Sequence, residues 1–250
     1  PGGPFLSEKA ISPAATKALE AKYGLDKPMA ERYFTYISDA AHGDFGDSLK
    51  QRGRTVMDII ATKFPVSARL GGMAVVLALC VGVPLGVLAA YKRGTFIDSL
   101  FSVIATCGIA VPGFVICTLL LYVFGVKLQW LPTLGLKSAQ SYIMPVVALA
   151  AYPTSYIMRL MRSSMLDVLG QDYMRTAKAK GLSQKVSLFK HALRNAILPV
   201  ITYVGPMLAY TLTGSFVTEK IFTIPGLGGE FIKAINGRDY TMIMGTTIFL

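Results

Sequence analysis

Long apolar blocks, separated by short polar stretches, dominate this chain. Apolar residues fill 65–91, 99–126, 142–163 and 196–218, and a fifth block runs from 240 to the last residue, Leu250. A helix needs roughly 20 mainly apolar residues to cross a bilayer, so each of the first four predicts one membrane span. The pattern predicts an all-α, polytopic transmembrane bundle (65–250) preceded by a polar region (1–64). Within that region amphipathic spacing predicts helices over 12–23 and 29–41. Val56, Ile59, Ile60 and Lys63 share one face of a further short helix over 55–64, which fits the outer membrane surface or packing on the rest of this region. The sequence opens on Pro1 and stops inside an apolar run, so it is expected to lack both natural ends.

Composition agrees with the pattern: 53% of the 250 residues are hydrophobic and 16% charged, and the mean hydropathy is +0.51. The formal charge of +11 raises the question of a nucleic-acid partner, but its distribution removes that reading. Residues 1–64 hold nine basic and eight acidic side chains. The excess flanks the spans instead, at Lys92, Arg93, Arg159, Arg162, Arg175, Lys178, Lys180, Lys185, Lys190 and Arg194. By the positive-inside rule this places the connections 92–98 and 159–195 in the cytoplasm. Residues 1–64, 127–141 and 219–239 fall outside. Membrane lipid is the expected neighbour. Cys80, Cys107 and Cys117 all lie in apolar blocks without metal-ligand spacing and read as packing thiols.

The spans carry no Asp, Glu or His between their ends, and Arg69, Arg159 and Arg162 lie near enough to the ends to snorkel. Intramembrane proteolysis and ion-coupled transport therefore lack their usual groups. No G-x-x-x-x-G-K-[ST] pattern occurs, so ATP is not handled by that route here. No catalytic, metal or cofactor residue is expected in this chain. Gly and Pro are frequent within the spans, which fits close helix packing or a cavity that takes up freed backbone groups. Pro112, Gly113, Tyr152, Ser155 and Gly214 are the candidates for a translocation path.

The connection 164–195 is the long cytoplasmic one. Leu166, Leu169, Tyr173 and Ala177 share a helical face, Gly181 serves as a C-cap, and Lys178 and Lys180 sit in the last turn. Ser183 caps a second helix whose Val186, Phe189, Leu193 and Ile197 share a face. Such a basic helical hairpin fits anionic lipid, a soluble partner, or both.

Within this connection, Tyr173-Met174-Arg175-Thr176-Ala177-Lys178-Ala179-Lys180-Gly181, then His191-Ala192-Leu193-Arg194-Asn195-Ala196 and Leu198-Pro199, resemble the EAA-type coupling loop of ABC importer permeases, nearest the peptide, dipeptide and nickel branch. Arg175 replaces the Glu of the general motif and Arg194 a common Pro, both usual for that branch. The resemblance continues in order along the chain, in Pro1-Gly2-Gly3-Pro4, Tyr23-Gly24-Leu25-Asp26-Lys27-Pro28, Gly43-Asp44-Phe45-Gly46-Asp47-Ser48, Ile224-Pro225-Gly226-Leu227-Gly228 and Gly237-Arg238-Asp239-Tyr240.

This resemblance implies a multi-pass permease of a bacterial or archaeal inner membrane, lacking its first transmembrane helix. It would pair with a second homologous permease, two ATPase subunits that bind ATP and Mg, and an extracytoplasmic solute-binding protein. Tyr173, Arg175, Thr176, Ala177, Lys178, Lys180, Gly181 and Leu182 would couple to the ATPase. Trp130, Pro225, Gly226 and Gly228 would meet the binding protein or gate release, although Trp130 also fits an aromatic-belt anchor. The implied cargo is a di- or oligopeptide, with nickel, haem or glutathione as alternatives. A channel or structural protein with a lipid-binding loop is the reading from another class.

Overall fold

The computed structural model describes residues 26–51, 53–183 and 186–250, so the expected helix over 12–23 and the motif at residues 1–4 lie outside the described residues. Ten α-helices are described: α1 (Met29–Ala41), α2 (Val56–Tyr91), α3 (Phe96–Ala110), α4 (Gly113–Leu120), α5 (Ile143–Leu169), α6 (Asp172–Ala179), α7 (Leu193–Ala196), α8 (Leu198–Ile221), α9 (Leu227–Gly237) and α10 (Tyr240–Phe249). Wide π turns lead on from α4 (Leu121–Lys127) and into α7 (Ser187–Ala192). No extended strand occurs among the described residues.

Helix α2 corrects the expectation of a short surface helix ending before Pro65. It runs unbroken for 36 residues, about 54 Å at 1.5 Å per residue. Its start is a capping box: the Asp58 N–H donates to Thr55 Oγ1 (3.1 Å) and the Thr55 N–H to Asp58 Oδ2 (3.3 Å). Pro65 provides no N–H for the Ala61 carbonyl four residues back, but Ala61 is exposed, so the helix continues. Val56, Ile59 and Ile60 are 0%, 0% and 1% exposed. They are buried against protein, not laid on lipid.

The chain divides into two compact units. The terminal unit comprises the described residues up to Val66 together with Pro225–Leu250, and the central unit is Ser67–Ile224. The division departs from the expected boundary at 64/65, because the C-terminal helices pack with the N-terminal region. In the terminal unit Phe45, Val56, Ile59, Ile60, Leu227, Ala234 and Met242 form one core. Three of the motif segments quoted above meet there. Ser48 donates to the Asp239 carboxylate, which also accepts from the Leu49 N–H (3.1 Å), the Lys50 N–H (3.3 Å) and the Met242 N–H (3.2 Å) as the cap of α10.

In the central unit α2 lies tightly against α5. A Cβ on Gly82 would stand 2.8 Å from the Thr154 carbonyl oxygen, and one on Gly86 would stand 2.6 Å from Met161 Cβ. Two glycines four apart thus allow the backbones to approach, the small-xxx-small device of membrane helices. Beyond this contact Ile157, Met161, Met165, Met174, Leu188, Ala192 and Ala196 continue the core towards the hairpin.

The expected span 99–126 is not one helix. α3 and the α4 segment meet at 102°. Pro112 forces its predecessor out of helical geometry, and Val111 is extended at φ −79°, ψ 123°. Among the described residues three helices are each long and apolar enough to cross a bilayer, and the bent pair would make a fourth.

Candidate functional site

The helix break opens a pocket of ≈ 320 Å³. Its rim is Val111, Pro112, Gly113 and Phe114; α5 contributes Ala148, Leu149 and Tyr152, and α8 contributes Tyr210, Thr211, Val217 and Thr218. The described lining carries no charged side chain. Polarity comes from hydroxyls: Thr211 Oγ1 bonds back to the Met207 carbonyl (2.7 Å), and Thr218 Oγ1 lies 3.4 Å from Cys117 Sγ. Pro153, inside α5, offers no N–H to the Leu149 carbonyl. The site is neutral, lined by aromatic rings and hydroxyls, with irregular backbone on one side.

Of the path candidates, Pro112, Gly113 and Tyr152 line this pocket. Gly214 lies in α8 between the lining residues Thr211 and Val217. Ser155 departs from expectation. It is 6% exposed and packs where a Cβ on Gly108 would strike its Oγ, so it joins α5 to α3. Sequence reasoning missed Tyr156, Tyr203 and Tyr210. The Tyr152 ring is stacked with Tyr156 (centroids 6.3 Å apart) and tilted against Tyr210 (5.1 Å), and Tyr156 meets Tyr203 (4.4 Å). Their spacings of four in α5 and seven in α8 were a usable signal, since both put rings on one helical face.

Of the three arginines expected to snorkel, Arg162 is instead held by a carboxylate, while Arg69 and Arg159 are exposed. Arg162 grips Asp98 with both nitrogens, Nε to Oδ1 at 2.6 Å and a terminal nitrogen to Oδ2 at 2.8 Å, while the Gly94 N–H also donates to Oδ2 (3.0 Å). Asp98 is 5% exposed. Glu219, expected in an external connection, belongs to α8, is fully buried, and accepts from Ser67 Oγ (2.6 Å) and Ser215 Oγ (2.9 Å). Cys117 is buried, whereas Cys80 and Cys107 are exposed and do not fill the core as expected.

The hairpin differs from its expected form in two ways. Leu166 and Leu169 belong to the end of α5, which closes at Gly170, and a separate short α6 carries Tyr173 and Ala177. After the turn, the π geometry rotates the second arm. Leu188, Ala192 and Ala196 are buried, while Val186 (40%) and Phe189 (60%) are exposed and do not share the expected face with Leu193. Gly181 has φ +78°, and the Leu182 N–H bonds the Ala177 carbonyl (3.3 Å), so the turn is a left-handed C-cap that glycine adopts without strain. Ser183 Oγ accepts from the Val186 N–H (3.4 Å) as the cap of the second arm.

Ala177 is 8% exposed, its small side chain packed within the chain. Tyr173 is partly exposed and its hydroxyl accepts from Asn195 Nδ2 (2.9 Å). Arg175 is exposed and pairs loosely with Asp172 (3.4 Å), and Thr176 Oγ1 bonds the Asp172 carbonyl (3.1 Å). Lys178 lies in α6; Lys180, Gly181 and Leu182 form the exposed tip. The hairpin thus leaves Tyr173, Leu182, Val186 and Phe189 exposed, along with Arg175 and Lys180.

Of the residues expected to face a binding protein, Trp130 is 66% exposed with its ring 6.0 Å from Phe124. Residues 225–229 lead into α9. Gly226 is its N-cap, and Gly226 and Gly228 are buried, leaving Pro225 exposed. Glu230, in the connection 219–239 expected to lie outside, is 9% exposed. Burial opposes its ionisation, but the Lys233 hydrogen bond and charge, with Lys63 and Gln51, outweigh burial and hold its pKa below the ordinary glutamate value. Among the described residues no group of three or more His, Cys, Asp or Glu is placed to hold a metal.

Comparison with known proteins places this arrangement. The chain is 48% identical over 249 residues to the dipeptide transport system permease protein DppB of Bacillus subtilis, covering 100% of this chain and 81% of that protein. It is 42% identical over 252 residues to the oligopeptide transport system permease protein OppB of Salmonella typhimurium, covering 100% and 82%. In fold it is similar to a chain of the inward-facing MetNI methionine ABC transporter, with a TM-score of 0.60, 16% identity, and 77% of this chain and 90% of that one covered. A chain of an amino acid ABC transporter matches with a TM-score of 0.56 and 17% identity, over 77% and 86%. Residues 82–250 match the family model of the binding-protein-dependent transport system inner membrane component, and the chain belongs to that family of permeases.

Proposed function

We propose that this chain is a transmembrane permease subunit of an ATP-driven importer that carries di- or oligopeptides across a bacterial cytoplasmic membrane. The observation that carries this reading is whole-chain identity of 48% to a permease named for dipeptides. The neutral pocket is compatible with it, since a wall without fixed charge admits peptides of either sign. ATP and Mg would be held by two separate ATPase subunits, a second permease of the same family would complete the path, and an extracytoplasmic binding protein would deliver the peptide. The hairpin tip at Lys180, Gly181 and Leu182 would dock on the ATPase, whose closure would move the helices as rigid bodies.

The test is uptake of a radiolabelled dipeptide into proteoliposomes holding the complete transporter, its binding protein and ATP. Gly181→Trp is expected to lower uptake and peptide-stimulated ATP hydrolysis together, by roughly tenfold or more, since bulk and φ strain both fall on the tip. Gly181→Asn, which tolerates the left-handed region, should retain most activity. Normal coupling in the Trp variant would remove the hairpin from this role.

A further inference from the structure

The four tyrosines extend beyond the pocket in a consistent direction. α5 runs into the hairpin and α8 runs out of it. Tyr156 therefore lies closer to the hairpin than Tyr152, and Tyr203 closer than Tyr210. Tyr152 and Tyr210 wall the pocket, so the unbroken line Tyr210, Tyr152, Tyr156, Tyr203 leads from the pocket towards the hairpin end. Along the helix axes the pairs are separated by about 6 Å and 10 Å. An aromatic belt gathers its rings at one membrane depth, so a line of rings along the axis is not a belt.

Nor does lipid suit this face. Among the described residues the four phenol hydroxyls make no hydrogen bond, and none of them is sealed inside the protein. Hydroxyls left unbonded in hydrocarbon are costly. Half-exposed rings with open hydroxyls suit a watery passage in which a moving solute exchanges hydrogen bonds and stacks on successive ring faces.

We infer that these tyrosines form an uncharged aromatic track conducting the solute from the pocket to the hairpin side. The inference rests on the peptide reading for the identity of the cargo. A neutral track suits a zwitterion, because a fixed charge would hold one terminus and slow release. The track sets no preference for peptide charge, and hydrophobic stacking on its rings carries apolar and polar side chains alike.

Two measurements test it in the complete reconstituted transporter. Tyr156→Cys and Tyr203→Cys, each in a Cys80→Ala, Cys107→Ala background, are exposed to a membrane-impermeant maleimide in the nucleotide-free state. Labelling of this chain at both positions is expected. Protection of both, from lipid or from the second permease, overturns the track whatever the cargo. Uptake is then compared for an Asp-containing and a Lys-containing dipeptide. Tyr156→Glu and Tyr156→Lys should shift the Asp/Lys uptake ratio in opposite directions, each by roughly tenfold. Tyr156→Leu should slow both peptides by about fivefold, and Tyr156→Phe, which keeps the ring and loses only the hydroxyl, should slow them by less than Tyr156→Leu does. An unchanged ratio in both charged variants overturns the track as the peptide route. If the wild-type complex takes up no dipeptide while the Tyr156→Cys and Tyr203→Cys variants both label, the peptide reading is removed and a water-lined track stays in place.

Discussion

The core of the terminal unit and the pocket of the central unit use polar groups differently. In the terminal unit charged side chains are fasteners within the body. Asp239 gathers the Ser48 hydroxyl and three backbone N–H groups, and Glu230 gathers Gln51, Lys63 and Lys233. In the central unit the buried carboxylates, Asp98 and Glu219, are fasteners too, but none belongs to the pocket lining. The polar groups of the pocket are hydroxyls. A wall that must release what it binds gains from weak, exchangeable bonds, whereas a wall that must hold shape gains from saturated carboxylates.

The comparison breaks first, and most severely, at Asp98. Arg162→Ala strands a buried carboxylate and is expected to cost about 3–5 kcal/mol, read as a fall in melting temperature of the detergent-solubilised complex. The double change Arg162→Leu with Asp98→Asn should recover much of the loss, because no charge then remains buried. A double variant no more stable than the single one would show that the pair is not a fastener.

In the terminal unit Asp239→Ala removes one acceptor from several donors at once. Its expected cost is about 2–3 kcal/mol, and hydrogen exchange should rise at the Leu49, Lys50 and Met242 amides before it rises in the central unit. Uniform exchange throughout the chain would contradict the division of labour.

The smallest effect is the pH response of Glu230. Its folded pKa lies below the ordinary value, so its contribution to stability is fully present above that ordinary value and is lost as pH falls through the folded one. Melting temperature should therefore decline on acidification below the glutamate range, and Lys233→Ala should flatten that decline. A pocket variant such as Thr211→Val should leave the acid response unchanged.

Much of the resemblance to a family proves to be about stability. Ser48, Leu227 and Asp239, from three separate motif segments, meet in the terminal unit as core and cap. Their local spacing said nothing of this meeting, because Ser48 and Asp239, 191 positions apart, were brought together by folding. The hairpin was legible in part: Gly181 and Ser183 are cap signals read from neighbours in sequence. Its buried face was not legible, since one π turn shifts every following side chain around the axis.

By itself the sequence determined the all-α membrane class, the main apolar helices, the helix over 29–41 and the turn at Gly181. Each of these follows from hydrophobic period, charge placement or a local backbone requirement. Only the tertiary structure decided that the block 99–126 bends at Pro112, that Arg162 clasps the buried Asp98 and Glu219 is held inside the protein, and that four tyrosines from two helices join in line. A proline announces only a lost hydrogen bond. Whether the helix runs on, as at Pro65, or turns through 102°, as at Pro112, depends on what the surrounding helices bury.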